Sequence, residues 1–417
     1  MVKNRIGTLL IIFFSVTFSH LSWGQFQVDS FIEKLLKKDP ERFADILGNS
    51  DKYQLQILYT RIDRNKNNEP RFQSYGYHVD PSKYFYPAST VKLAAAVVAL
   101  EKLNRLGIDK NAHMFTESAR SEQTAVTADT TSEDGFPSVA HYIRKIFLAS
   151  DNDAFNRLYE FIGQEELNET LHRKGYQNVR IVHRLDDTSF DSESNRYTNP
   201  VRFEMHGKTI YQQPATYASK TYFASSSIPV GAGHVEDGAL TDKPFDFAQK
   251  NYFALEDQHR LMKAVFFPDQ TPPQQRFDLT NDDYTFLYKY MSQFPVETSF
   301  PEHYTDDYYD GYVKYLMFGG TQTRLPRHIR LFNKSGEGYG YLLDNAYIAD
   351  FEKGIEFLLT AVIYVNADGI INDDKYDYKS IGLPFMANLG KAIFNYELNR
   401  KRTTRPDLDR FEVAYDK

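Results

Sequence analysis

From Val28 to Ile46 apolar side chains recur at helical spacing, which predicts a helical lead-in. Apolar and polar positions then alternate over Leu55–Ile62 and Phe72–His78. The polar Arg64–Pro70 stretch between them completes the pattern of a hairpin. Pro87-Ala88-Ser89 opens a strongly apolar run (Val91, Leu93–Ala96, Val97, Val98, Leu100) that stops at Gly107, the pattern of a buried helix with a glycine end signal. Two further helices are predicted over Ser138–Leu148 and Asp153–Ile162, with Ser150-Asp151-Asn152 at their junction, and a short third from Glu165 to Lys174. After Thr198-Asn199-Pro200 comes an aromatic and polar region reaching about Gly319, whose clearest element is a helix over Glu256–Phe266. The C-terminal part reads as strands over Ile329–Lys334, Leu342–Asp350 and Ile355–Val365, then a helix over Pro384–Leu398 and a charged tail. The short connections between those strands require antiparallel pairing, so the expected fold class is α/β of the α+β type, an antiparallel sheet packed with helices.

The N-terminus changes the picture of where the chain works. Lys3 and Arg5 precede an apolar run from Ile6 to Phe18 and a polar stretch ending Ser22-Trp23-Gly24, the order of a secretory signal cut before Gln25. The run falls short of the roughly 20 residues that span a bilayer, so a retained anchor is the secondary expectation. No later stretch is apolar enough to cross, and no stable membrane insertion is expected after cleavage. The expected location is outside the inner membrane, in the periplasm. Cysteine is absent, which excludes disulfides, thiolate nucleophiles and lipidation at the signal junction. Losing Lys3 and Arg5 takes the formal net charge from −7 to −7 − 2 = −9, a sign that argues against nucleic acid as a partner. The sequence carries no signal of oligomeric state.

Candidate chemistry begins at Ser89. A serine hydroxyl is a poor nucleophile unless a base stands beside it, and a lysine held neutral by desolvation can be that base. Ser89 and Lys92 lie three residues apart on the first turn of a buried helix, so both project from one face, near the positive helix end where an oxyanion would form. Taken alone, this pair is also what a capped helix would show. Ser150-Asp151-Asn152 adds a hydroxyl able to relay a proton and an amide able to hold a carbonyl, although all three residue types also favour helix caps. Lys334-Ser335-Gly336 ends a strand with a cation, a hydroxyl and a residue small enough for substrate to lie along the edge.

The three motifs occur together, in this order, and each falls on the element its chemistry needs. In this the chain resembles the class A β-lactamases within the superfamily of β-lactamases and penicillin-binding proteins. The resemblance covers roughly residues 53–204 and 326–398. It implies an antiparallel sheet packed with helices beside an all-helical subdomain, with the site between them. The corresponding division is a signal (1–24), an N-terminal helical extension (25–52), a β-lactamase-like catalytic domain (53–398) carrying a large insertion at about 205–319, and a charged tail (399–417). Carried over by residue, the resemblance implies acylation of Ser89, with Lys92 as base and Ser150 passing the proton on beside Lys334. Asn152 would bind the substrate amide and Ser335, next to Gly336, a substrate carboxylate. The backbone N–H groups of Ser89 and Glu337 would form the oxyanion hole.

Two features of the family are missing. Its Glu-x-x-Leu-Asn loop, whose glutamate activates the deacylating water, has no match. Gln164-Glu165-Glu166-Leu167-Asn168 puts glutamine at the base position, too close to Ser150, and its glutamates read as a solvated face. Asp186 and Asp187 are the shorter candidates for that base. The family's arginine at the carboxylate end is also absent: no arginine occurs between Arg330 and Arg400, and Glu337 follows the third motif directly. Arg324, Arg327 and Arg330 are the candidates to compensate. The expected function is an exported serine hydrolase forming an acyl-serine on a β-lactam or related amide. The alternatives are a D,D-peptidase or penicillin-binding protein or esterase with slow β-lactam turnover, and a non-catalytic cell-envelope binding protein. The expected partner is a small-molecule β-lactam or cell-wall peptide. No cofactor or metal is expected: the histidines form no ligand pairs, and Asn366–Asp374 has turn rather than calcium-loop spacing.

Overall fold

A computed structural model describes residues 30–301 and 308–417; the signal sequence expected over 1–24 lies outside the described residues. The apolar lead-in forms two helices, α1 (Phe31–Leu36) and α2 (Pro40–Gly48), because Pro40 can start a helix but not continue one. The hairpin is β1 (Gln56–Arg64) and β2 (Pro70–Tyr77), paired with Ile57 opposite Tyr77. Next come α3 (Val91–Leu106), α4 (Val139–Ala149), α5 (Asn152–Ile162) and α6 (Gln164–Arg173), and later α7 (Leu255–Phe266) and α8 (Asn281–Ser292). The chain then makes β3 (Ile329–Gly338), β4 (Tyr341–Asp350) and β5 (Ile355–Tyr364), and ends with α9 (Leu383–Asn399).

These strands form a five-stranded antiparallel sheet in the order β3-β4-β5-β1-β2, so β3 is an edge strand. Every residue of β4 and β5 is buried because helices cover both faces. Alternate residues choose between the layers. Phe332, Tyr347, Ala349 and Leu358 face α3, α4, α5, α7 and α8, whereas Leu331, Ala346, Ile348 and Leu359 face α1, α2 and α9. The expected fold class, an antiparallel sheet packed with helices, is the one observed. The turn Ala88–Thr90 that leads into α3 packs against β3 and β4, which brings the start of α3 to the sheet edge.

Two boundaries of the sequence reading are corrected. Within 205–319 only the first half is peripheral, a set of short strands including Gly233–Glu236 and Ala239–Thr241. α7 and α8 bury Leu261, Met262, Val265, Phe266, Leu287 and Met291 in the same core as α3, so this half belongs to the main body. α8 went unread because its aromatic and acidic residues give a weak period; its start is fixed by a Thr280/Asp283 capping box. The segment 399–417 is not a free charged tail either: Leu408 and Phe411 are buried in that core.

Candidate active site

Ser89 sits in a single 3-10 turn, Ala88–Thr90, that feeds directly into α3. Ala88 holds φ at 45°, a conformation L-residues seldom adopt, and Thr90 fixes the turn by donating its hydroxyl to Pro87 O at 2.6 Å. Ser89 is left half-buried at the mouth of the helix, while Lys92 behind it has no exposed surface.

The Lys92 ammonium position is surrounded by oxygen. Nζ lies 2.8 Å from Ser89 Oγ, 2.6 Å from Asn152 Oδ1 and 3.3 Å from Ser150 Oγ. The junction of α4 and α5 makes this possible: Ser150 ends α4 in the left-handed region (φ 56°) and Asp151 caps α5 by accepting from Ala154 N at 2.8 Å. The reversal turns Ser150 and Asn152 toward Lys92. Asp151 is turned away and pairs with Lys145 at 3.4 Å.

From the opposite wall, Lys334 Nζ lies 3.0 Å from Ser150 Oγ and 2.7 Å from Ser335 O. The Ser150 hydroxyl thus lies between two buried lysines. Burial lowers the Lys92 pKa well below the ordinary lysine value, and the Lys334 charge adds to the effect against the pull of Asp151 and Asp186. Burial brings Lys334 down to about 7, opposed by the Asp344 carboxylate.

β3 reaches this point only because Gly336 has no side chain. A Cβ there would meet Ser89 N at 2.9 Å and Pro87 O at 3.1 Å, both backbone atoms held by the 3-10 turn. Gly336→Ala should therefore push β3 off the Ser89 turn and open the Lys334–Ser150 contact. Thermal unfolding should show a destabilisation of about 1–3 kcal/mol, with a larger proportional loss in the rate at which Ser89 is acylated.

The two aspartates separate. Asp186 is exposed, in the left-handed region (φ 53°), with Oδ2 3.4 Å from Asn152 Nδ2. Asp187 only closes its own turn by accepting from Ser189 N at 3.0 Å. Asp186 is positioned by a buried anchor. Asn156 brackets Leu185 through its N–H (2.8 Å) and C=O (3.0 Å), and Arg184 pairs with Glu160 at 3.1 Å while donating to Tyr197 O at 3.0 Å. Arg157 shares Glu160 at 3.0 Å. Glu160→Ala should cost about 3–5 kcal/mol in chemical denaturation, because it leaves the Arg184 guanidinium buried without a carboxylate, while Arg157 keeps Asp153 at 2.9 Å. In the Gln164–Asn168 stretch Gln164 and Asn168 are buried against Val182 O (2.9 Å) and Ile181 O (2.8 Å), while the half-exposed glutamates bond Ser219 N (Glu165, 2.7 Å) and Lys102 (Glu166, 3.0 Å).

Sequence reasoning missed the support behind β3. Asp344 accepts from Asn333 Nδ2 at 2.7 Å and from the backbone N–H groups of Tyr315 and Leu316, both at 3.0 Å. Lys314, fully buried, donates to Asn333 Oδ1 at 2.7 Å and Met291 O at 2.6 Å. It also missed Tyr315, whose hydroxyl donates to Glu337 Oε2 at 3.4 Å, and Tyr86, whose ring stacks on His183 at 6.1 Å. Only the aspartate in the middle of an apolar strand was a signal, since a buried carboxylate demands partners.

The geometry defines a serine–lysine centre: a hydroxyl on the first turn of a buried helix, a desolvated lysine beneath it, and a second hydroxyl joining that lysine to a third-motif lysine. Residues 41–222, which carry Ser89, Lys92, Ser150 and Asn152, match the family model described as "Beta-lactamase enzyme family". Solved structures align over most of both chains. A class A β-lactamase from Clostridium kluyveri is 16% identical, covering 86% of this chain and 99% of that chain, with TM-score 0.47. A β-lactamase from Xanthomonas campestris pv. campestris is 16% identical, covering 87% and 98%, also with TM-score 0.47. The chromosome-encoded β-lactamase of Vibrio parahaemolyticus is 15% identical, covering 86% and 99%, again with TM-score 0.47. Curated protein sequences give no match. Residues 41–222 are thus similar to the β-lactamase enzyme family, in keeping with the motifs at Ser89 and Ser150.

Proposed function

We propose that this protein is an exported serine hydrolase that forms an acyl-serine at Ser89 and hydrolyses a β-lactam or a related amide or ester. The observation that carries the reading is the contact of Lys92 Nζ with Ser89 Oγ at 2.8 Å, made by a lysine that burial favours in its neutral form. Neutral Lys92 takes the Ser89 proton as Oγ attacks the carbonyl. The N–H groups of Ser89 and Glu337 receive the oxyanion, and Asn152 holds the substrate amide. The proton then passes through Ser150, beside Lys334, to the leaving group, and water cleaves the acyl-serine. Asp186 is the nearer of the two candidate bases for that water, and its short, exposed side chain favours slow deacylation. This supports a second reading, a D,D-peptidase or esterase whose β-lactam adduct persists. The signal sequence supports a periplasmic location.

Intact-mass spectrometry of the mature protein mixed with a penicillin, a cephalosporin and an activated ester tests the reading. The expected result is a single acyl adduct that peptide mapping places on the Ser89 peptide. A β-lactamase clears it within minutes while consuming the drug, and a peptidase-like enzyme retains it for hours. Absence of an adduct with every reagent would favour the non-catalytic binding protein.

A further inference from the structure

The end of the site beyond Ser335 has the wrong charge for an anionic ligand. Ser335 and Glu337 lie two apart on edge strand β3, on the face opposite Lys334 and Gly336, and the exposed Glu337 stands at the strand edge one residue past the glycine that meets Ser89. Solvent reaches Glu337, and its Oε2 accepts from Tyr315 at 3.4 Å. Burial, reinforced by the Glu337 charge, raises the Tyr315 pKa well above the tyrosine value, so that hydroxyl stays a donor.

Glu337 makes no ion pair among the described residues. Arg330 is committed to Glu297 through two bonds, 2.8 and 3.0 Å, and its guanidinium lies over the rings of Phe294 and Tyr415. Arg327 pairs with Glu297 at 3.3 Å and Asp310 at 3.2 Å. Arg324 is exposed beside Leu325, whose N–H is held by that same Asp310 at 2.9 Å. Five residues of extended strand place Arg330 roughly 17 Å from Ser335. Arg327 and Arg330 are therefore already committed to carboxylates away from the site. Lys314 is enclosed behind the strand, its ammonium position occupied by Leu331 O (3.0 Å), Met291 O (2.6 Å) and Asn333 Oδ1 (2.7 Å). Burial raises the Glu337 pKa, opposed by the Tyr315 hydroxyl and by the charge of Lys379.

We propose that the acyl donor accepted by this site is uncharged or cationic where it meets Ser335 and Glu337: an ester or amide without a free carboxylate at that end. The inference rests on the acyl-serine reading above and names its substrate class. A carboxylate there would face the Glu337 carboxylate, with Lys334, itself partly neutral, as the cation on the neighbouring strand position. A neutral carbonyl would instead accept from Ser335, and an ammonium group would pair with Glu337.

The test compares benzylpenicillin with its methyl ester, which share one β-lactam and differ in a single negative charge. Second-order rates of Ser89 acylation are read by intact mass at low and high salt, on wild type and on Glu337→Gln. The methyl ester should acylate wild type about tenfold faster or more, a gap that salt narrows. Glu337→Gln should raise the rate for the free acid and close most of the difference. Equal rates on wild type, or a ratio unmoved by Glu337→Gln, would overturn the inference and leave acyl-serine chemistry standing. No Ser89 adduct from either compound would overturn both.

Discussion

Ser89→Ala is expected to abolish covalent labelling by every acylating reagent that modifies the wild type, and to lower hydrolysis by about 10⁴-fold or more. The reason is positional. Ser89 Oγ is the hydroxyl that lies within 2.8 Å of Lys92 Nζ at the mouth of α3; the Ser150 Oγ contact is longer, at 3.3 Å, and its hydroxyl also receives Lys334. Ser150 therefore cannot inherit the nucleophile's role without losing its own. The variant should fold, because Ser89 is half-buried, its side chain bonds only Lys92 among the described contacts, and the turn is tied by Thr90 to Pro87. Mass spectrometry reads the adduct and circular dichroism the fold. Undiminished labelling of a folded Ser89→Ala protein would move the nucleophile elsewhere.

The parts of this molecule that could be read from sequence are those where local chemistry and global role coincide. The run Val91–Leu100 is apolar at every position but Lys92, so it had to be a buried helix, and the glycine at its end had to be its stop; Gly107 takes φ 65° there. Ser150-Asp151-Asn152 was legible because its residues prefer caps and turns, and the structure uses that preference to reverse the chain. The arginines were a different case. Nothing local to Arg327 or Arg330 reveals that Glu297, some 30 residues away in sequence, holds both, so their unavailability to the site became visible only in three dimensions. Asp186 and Asp187 likewise look alike as neighbours in a polar turn. What separates them is the Asn156 and Glu160 anchor on α5, which rotates one toward Asn152 and leaves the other to cap its turn. Burial of α7 and α8 escaped notice for the same reason, since their partners, β1, β4 and β5 for α7 and α4 and β3 for α8, are distant in sequence.

Removing the base should be nearly as damaging as removing the nucleophile. Lys92→Met keeps the volume of a buried side chain and takes away the proton acceptor, and a loss of about 10²–10⁴-fold in acylation rate is expected from general-base catalysis. Lys92→Arg should not rescue it, because a guanidinium stays protonated. The pH profile gives a sharper check than rate alone. Lys92 works as the neutral amine, so in the wild type acylation should fall as pH drops through its lowered pKa. Lys334 donates to Ser150 Oγ as a cation with a pKa of about 7, so acylation should also decline as pH rises past that value. The profile is then a bell whose two limbs belong to a coupled lysine pair. Because the Lys334 charge is one of the causes holding the Lys92 pKa down, Lys334→Met removes the alkaline limb and moves the acid limb to higher pH. Stopped-flow rates with a chromogenic cephalosporin or an activated ester across pH 5 to 10 separate the cases. An acid limb that stays in place in Lys334→Met would show that Lys92 does not titrate as the base, since a residue with only a structural role beside Ser150 has no means of setting that limb.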